Sequence, residues 1–241
     1  MKRFLALCFL LVSSPAFAAP SLDLGGAAGG PMVSGRIIQL VALLTVLSIA
    51  PGLLVMMTSF TRFVVAFSFL RSSLGLQSTP ANLVLISLAM FMTFYVMAPV
   101  FDSAWREGVK PLMENAISED EAYTKATAPF RAFMSAHVRE KDLRLFESLS
   151  KDSMRQKVGE PADLRVLAPA FMISELRRGF EIGFMIALPF LVIDMVVATL
   201  TMAMGMMMMP PSVIALPLKV LFFVLIDGWN LVVGSLVRSF G

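Results

Sequence analysis

Three ionisable residues interrupt stretches that are otherwise apolar: Asp194 in "FLVIDMVV", Lys219 in "IALPLKVLFFV" and Asp227 in "FFVLIDGWN". A charge in such a segment is costly, so it faces a bundle interior or an aqueous cavity and takes a partner. Lys219 has no acid at i±3 or i±4, so its partner lies on another segment or another subunit. Lys219 and Asp227 are about two helical turns apart, too far for a local pair but near one face if the helix runs through. Glu175, at the head of the third apolar run, could serve Lys219 across subunits or pair locally with Arg178; Asp194 and Asp227 are the competing partners.

The residue types for catalysis are missing. His137 is the only histidine and sits in the polar stretch "SAHVREKD", where it reads as a surface helix residue. Cys8 is the only cysteine, no second histidine completes a common metal site or a nucleophile–base pair, and no Walker-type glycine loop is present. The expectation is no enzyme, no cofactor and no metal.

A different chemistry is concentrated at "TMAMGMMMMPPS", where Met206, Met207, Met208 and Met209 stand between Gly205 and the pair Pro210 and Pro211. The prolines cannot continue a helix and the glycine loosens the backbone, so the run reads as a turn. Unbranched thioether side chains on a turn can fill an irregular gap and refill it after being pushed aside.

Positioning these residues requires long apolar elements. Hydrophobic residues make up 57% of the 241 and charged residues 15%, against roughly 25% charged in soluble domains. The N-terminus reads as a cleaved signal peptide over residues 1–18: Lys2 and Arg3, the short run "FLALCFLLV", then a cut between Ala18 and Ala19. That run, of about nine residues, is too short for a span needing about 20. Cleavage removes Cys8 and two of the 20 basic residues but none of the 17 acidic ones, taking the formal charge from +3 to +1. Nothing in that balance suggests a nucleic-acid partner.

Residues 19–35 read as a flexible leader. Four long apolar runs follow, about Ile37–Met57, Ala81–Phe101, Phe180–Met204 and Ser212–Val237, forming one helical hairpin over 36–101 and a second over 180–241. With the mature N-terminus outside, Thr58–Pro80 is a cytoplasmic connection carrying Arg62 and Arg71 and no acid, as the positive-inside rule asks. Residues 102–179 are then an extracytoplasmic helical region. In it Ser118 and Glu121 form a capping box, and Phe130, Phe133, Met134 and Val138 make an apolar face that needs a partner. Pro51, Pro189 and Pro217 interrupt the runs, with Gly52 and Gly183 nearby, which favours burial against other helices. The small residues Ala198, Thr199, Thr201 and Ala203 would permit close helix contact. The fold class is an all-α integral membrane protein.

Longer motifs carry a resemblance. "PAFMISELRRGFEIGF", "LPFLVIDMVVATLTMAMGMMMMPP" and "IALPLKVLFFVLIDGWNLVVGSLVRSF" resemble the C-terminal half of the FliP family of flagellar type III export-gate proteins. "SFTRFVVAFSFLRSSLGLQSTPANLVLISLAMFMTFYVMAP" resembles its N-terminal half. The likeness spans about residues 36–241. The related SctR proteins of injectisomes generally lack a cleaved signal peptide, so the flagellar branch is favoured.

The resemblance implies kinked helical hairpins assembled in a ring of about five copies with FliQ and FliR. It also implies neighbouring export components such as FlhB and FlhA, in the flagellar basal body at the bacterial inner membrane. Unfolded flagellar subunits would pass through the pore, and Met206–Met209 would form a gasket closing it, with energy coupling placed in other components. A small-solute transporter would also carry broken helices and intramembrane acids, but inverted halves of similar pattern are not evident. A membrane scaffold would need neither the Met turn nor Lys219 and Asp227.

Overall fold

The computed structural model describes residues 55–76, 80–150, 162–205 and 209–241, with Val41, Leu44, Thr45, Ser48 and Gly52. The expected signal peptide with its Ala18–Ala19 cut, the leader, most of the first apolar run and Met206–Met208 lie outside the described residues. Met1–Ser48 forms one unit and Ile49–Gly241 another. In the first, the described residues are helical, with the Thr45 and Ser48 hydroxyls donating to the Val41 and Leu44 carbonyls.

Among the described residues the fold is all helix, without strands. Helix α1 is Phe60–Ser73 and α2 is Asn82–Ala104, which continues through a π-helical turn, Trp105–Val109, into Lys110–Met113. Helix α3 is Glu119–His137, α4 Glu140–Leu149, α5 Leu164–Ala203, α6 Pro211–Leu225 and α7 Gly228–Arg238. Among the described residues two stretches are long and apolar enough to cross a membrane, Asn82–Met113 and Leu164–Ala203; α6 with α7 makes a third if the bent pair counts as one.

Local chemistry explains several boundaries. Ser118 accepts a hydrogen bond from the Glu121 amide at 3.3 Å, and three acids in the first turn of α3 favour the positive end of its dipole. Asp163 caps α5 by accepting from the Arg165 amide at 2.9 Å. Pro211 opens α6 at a position where a missing N–H costs nothing. The helix α5 is continuous across Pro169 and Pro189.

The structure differs from the sequence expectation in three places. Thr58–Pro80 is not a bare connection, since most of it is α1, packed along α5. The expected boundaries at 101/102 and 179/180 fall inside α2 and α5, because hydropathy marks where a helix becomes apolar and not where it starts. The last run is broken at Ile226 and Asp227, where the axis bends by 65° and Asp227 takes a left-handed φ of 51°.

The helices α1 and α5 run parallel, with Arg62 against Glu175, Val65 against Gly179 and Phe69 against Gly183. The two glycines stand four apart in "GFEIG" and let the backbones approach. A Cβ added at Gly183 would lie 2.7 Å from the Phe69 side chain, and one at Gly179 would lie 3.0 Å from Val65. In the Ala198–Ala203 series only Thr201 is buried, and its hydroxyl bonds its own helix. The main core joins Phe63, Phe67 and Leu70 of α1 to Ala89, Phe190, Phe223 and Leu236. A second cluster packs Met134 and Phe133 of α3 on Leu167 and Phe171 of α5, which supplies the partner that the amphipathic face of α3 required.

Candidate functional site

Helix α1 carries a polar tie at each end. At its start the buried Arg62 donates from Nε to Glu175 Oε2 at 2.8 Å and from Nη2 to Glu175 Oε1, a bidentate pair with neither side chain exposed. Its third nitrogen, Nη1, donates to the Ser239 carbonyl at 2.9 Å and to Ser239 Oγ at 2.7 Å, while Cζ lies 3.5 Å from the Phe240 ring centroid. One guanidinium thus joins α1, α5 and the segment after α7. Burial pulls the Arg62 guanidinium below its ordinary value, and the Glu175 hydrogen bonds and charge work against that pull.

At the other end, Lys219 Nζ donates to Asp194 Oδ2 at 2.6 Å and to the Ser73 carbonyl at 2.9 Å, joining α6 to α5 and to the last turn of α1. The lysine side chain is 8% exposed and the aspartate 42%. Lys219 therefore takes its partner from another segment of its own chain.

This geometry corrects four expectations. Within one chain Glu175 pairs with neither Lys219 nor Arg178, since Arg62 satisfies both its oxygens. Asp227 pairs with neither, being exposed at the break, where it accepts from Asn230 Nδ2 at 3.2 Å. Because α6 ends at Leu225, Lys219 and Asp227 do not share a helix. Arg62 is a helix residue and not a loop residue, and it touches Glu175, so the two share a side that the sequence reading had divided between opposite faces. Arg71 keeps its place at the α1–α2 turn, donating from Nε to the Leu76 carbonyl at 3.2 Å and from Nη1 to Asn82 Oδ1.

His137 is half-buried, not a surface residue. Nδ1 lies 2.8 Å from the Phe133 carbonyl and Nε2 3.3 Å from the Phe240 carbonyl, with the ring against those of Phe133 and Phe240. Close by in the chain, Ser174 Oγ accepts from the Arg139 amide at 3.1 Å and donates to Asp142 Oδ2 at 2.8 Å, tying α4 to α5. Among the described residues no group of His, Cys, Asp and Glu could hold a metal ion.

Of the methionine run, Met209 is described and exposed, and Met206, Met207 and Met208 lie outside the described residues. The flanks are described. Helix α5 ends at Ala203, Gly205 takes a left-handed φ of +71°, and α6 begins at Pro211. The run therefore joins two long apolar helices whose outer faces are open, with Met195, Met202 and Leu225 among the exposed side chains.

The model of the FliP family matches residues 43–236. This chain belongs to the FliP family. It is 63% identical over 209 residues to a Flagellar biosynthetic protein FliP of Rhizobium meliloti, covering 86% of this chain and 85% of that protein. It is 58% identical to the protein of the same name from Agrobacterium fabrum over the whole of both chains, and 55% identical over 203 residues to that of Bacillus subtilis, covering 84% and 91%. The family match spans Arg62, Glu175, Asp194, Lys219 and the methionine run.

Two features of this FliP-family chain escaped sequence reading. The Arg62–Glu175–Ser239 tie joins residues far apart in the sequence, which local periodicity does not connect. The glycine pair in "GFEIG" passed unread, although its small-residue spacing is the signal that marks the α1–α5 approach.

Proposed function

We propose that this chain is a pore-forming subunit of the flagellar type III protein export gate, through which unfolded flagellar subunits cross the inner membrane. Membership of the FliP family supports it, and the carrying observation is the bracketing of the methionine run. The left-handed Gly205 and the helix start at Pro211 hold that run between two helices with open apolar faces. In a ring of copies, such turns would meet at the axis. A ring of thioethers seals by dispersion contacts and dewetting and yields to substrates of any side-chain chemistry. Met206–Met209 form the gasket in this reading.

The chain acts as a conduit and not as an enzyme. Only 28% and 22% of the most apolar windows of Asn82–Met113 and Leu164–Ala203 are buried within one chain. The remainder fits neighbouring subunits and lipid, and the ring of about five copies with FliQ and FliR is taken from the family resemblance. FlhB, FlhA and the substrates complete the partners. In this reading α2, α5 and the bent pair α6–α7 alternate across the membrane, Arg71 marks the cytoplasmic side and α3 with α4 lies outside. Co-expression with FliQ and FliR followed by electron microscopy tests this. A ring around one axis with the methionine turns at its constriction is expected, and a monomer or dimer without a pore would favour a solute transporter.

A further inference from the structure

The segment Ser239–Phe240 is gripped from three sides by groups that the pore reading leaves unused. Arg62 donates to both the carbonyl and the hydroxyl of Ser239 and lies over the Phe240 ring. His137 of α3 reaches the Phe240 carbonyl, and the Phe133 ring lies at 21° to that of Phe240, with centroids 6.1 Å apart. Phe63 of α1 closes the other side at 5.7 Å. Arg62 is fixed for this task by Glu175, which takes two of its nitrogens and leaves Nη1 aimed at Ser239.

A buried ion pair is weak evidence for stability, because apolar residues of similar volume often serve as well. Its value lies in geometry: a planar guanidinium with five fixed donors can address a carboxylate on one edge and a backbone carbonyl on another. The Phe240 ring lies where α1 and the C-terminal end of α3 come together, and α3 packs on α5. The seating of that ring therefore bears on how the C-terminal end of α3 sits against α1 and α5.

We propose that Arg62 is a positioning residue, which, with Glu175 behind it, seats Ser239–Phe240 as a strap under α3, and that this clasp is required before the subunit can join its ring. The proposal rests on the export-gate reading. It locates the requirement inside each subunit and at a place distant from the methionine turn. An unclasped subunit keeps its core of α1, α2 and α5 but presents α3 at the wrong angle to its neighbours.

The test uses the full chain co-expressed with FliQ and FliR and carrying 4-fluorophenylalanine at position 240. The paired variant Arg62→Met with Glu175→Met removes both charges together, so neither is left orphaned. Expected are an unfolding midpoint close to the parent, a 19F resonance moved toward that of the free amino acid, and at least a tenfold fall in ring yield on native gels. Arg62→Lys, which keeps the charge and part of the donor set, should recover some of that yield. Parent-like ring yield from the folded paired variant overturns the proposal, as does an unmoved 19F resonance. If the paired variant does not fold, Phe240→Ala decides, since it leaves the ion pair intact: lost rings with parent-like stability support the clasp, and normal rings overturn it. Absence of a ring from the parent itself would count against the gate reading, while the 19F shift still reports on the clasp.

Discussion

Lys219 Nζ lies 2.6 Å from Asp194 Oδ2, and Glu175 is held instead by Arg62. The two acids that one lysine might have shared thus belong to separate ties at opposite ends of α1. The pairs are not equivalent. Both members of the Arg62–Glu175 pair are inaccessible, whereas the Asp194 side chain is 42% exposed beside a lysine that is 8% exposed.

That asymmetry gives the first prediction. Asp194→Asn leaves a buried ammonium with the Ser73 carbonyl and a neutral amide, whereas Lys219→Met leaves a carboxylate that water can reach. The cost of orphaning one partner runs from about 0–1 kcal/mol at the surface to about 3–5 kcal/mol when buried. Asp194→Asn should therefore fall toward the upper end and Lys219→Met toward the lower, read as thermal midpoints in detergent. In the reversal series, Lys219→Asp should be rescued better by Asp194→Lys than by Glu175→Lys. Equal or better rescue by Glu175→Lys would show that the lysine serves an acid of a neighbouring chain.

A second prediction concerns the close approach of α1 and α5. A methyl at Gly183 would stand 2.7 Å from Phe69, where real Cβ contacts do not occur, and one at Gly179 would stand 3.0 Å from Val65. Overpacking of this kind costs about 1–3 kcal/mol. Gly183→Ala should lower the unfolding midpoint more than Gly179→Ala, and Phe69→Ala should restore part of the loss in a double variant. Two separate additive losses would mean that the helices do not meet at this seam.

The third prediction concerns the methionine turn. Replacing Met206, Met207 and Met208 with Ala removes deformable volume without adding charge, so assembly should persist while the closed pore leaks. Ion conductance of the co-expressed complex in vesicles measures it. Unchanged conductance in a correctly assembled triple variant would remove the gasket role.

How much of this was legible in the sequence follows from the range of the forces involved. Hydropathy located the apolar parts of α2, α5 and α6, and short-range capping located the start of α3 at Ser118, because those signals lie within a few residues of the structure they cause. The methionine run read as a turn for the same reason; of the structure around it, α5 ends at Ala203, Gly205 is left-handed and α6 begins at Pro211. Helix α1 was missed since its two arginines and flanking polar residues resembled a connection, although one of them is fully buried. The partners of Arg62 and Lys219 could not be read, because a side chain's partner depends on how helices pack, and Arg62 meets Glu175 only through the parallel seam at Gly179 and Gly183. His137 was misread for a related cause: its polar neighbours in sequence are not its neighbours in space.

The last prediction tests sidedness, with Arg62 removed from the argument. Arg71 remains at the α1–α2 turn, and Ser72 beside it is exposed, as is Ala116 in the link before α3. If the turn faces the cytoplasm and α3 lies outside, single cysteines at Ser72 and Ala116 should react with a membrane-impermeant thiol reagent from opposite sides. The native Cys8 is replaced by Ser, so that the introduced thiol is the only one whether or not the signal peptide is cut. Intact cells should label Ala116→Cys and spare Ser72→Cys, and inverted vesicles should give the reverse. Labelling of both from one side would rule out the alternating arrangement, since α2 would then not carry the chain across the bilayer between them.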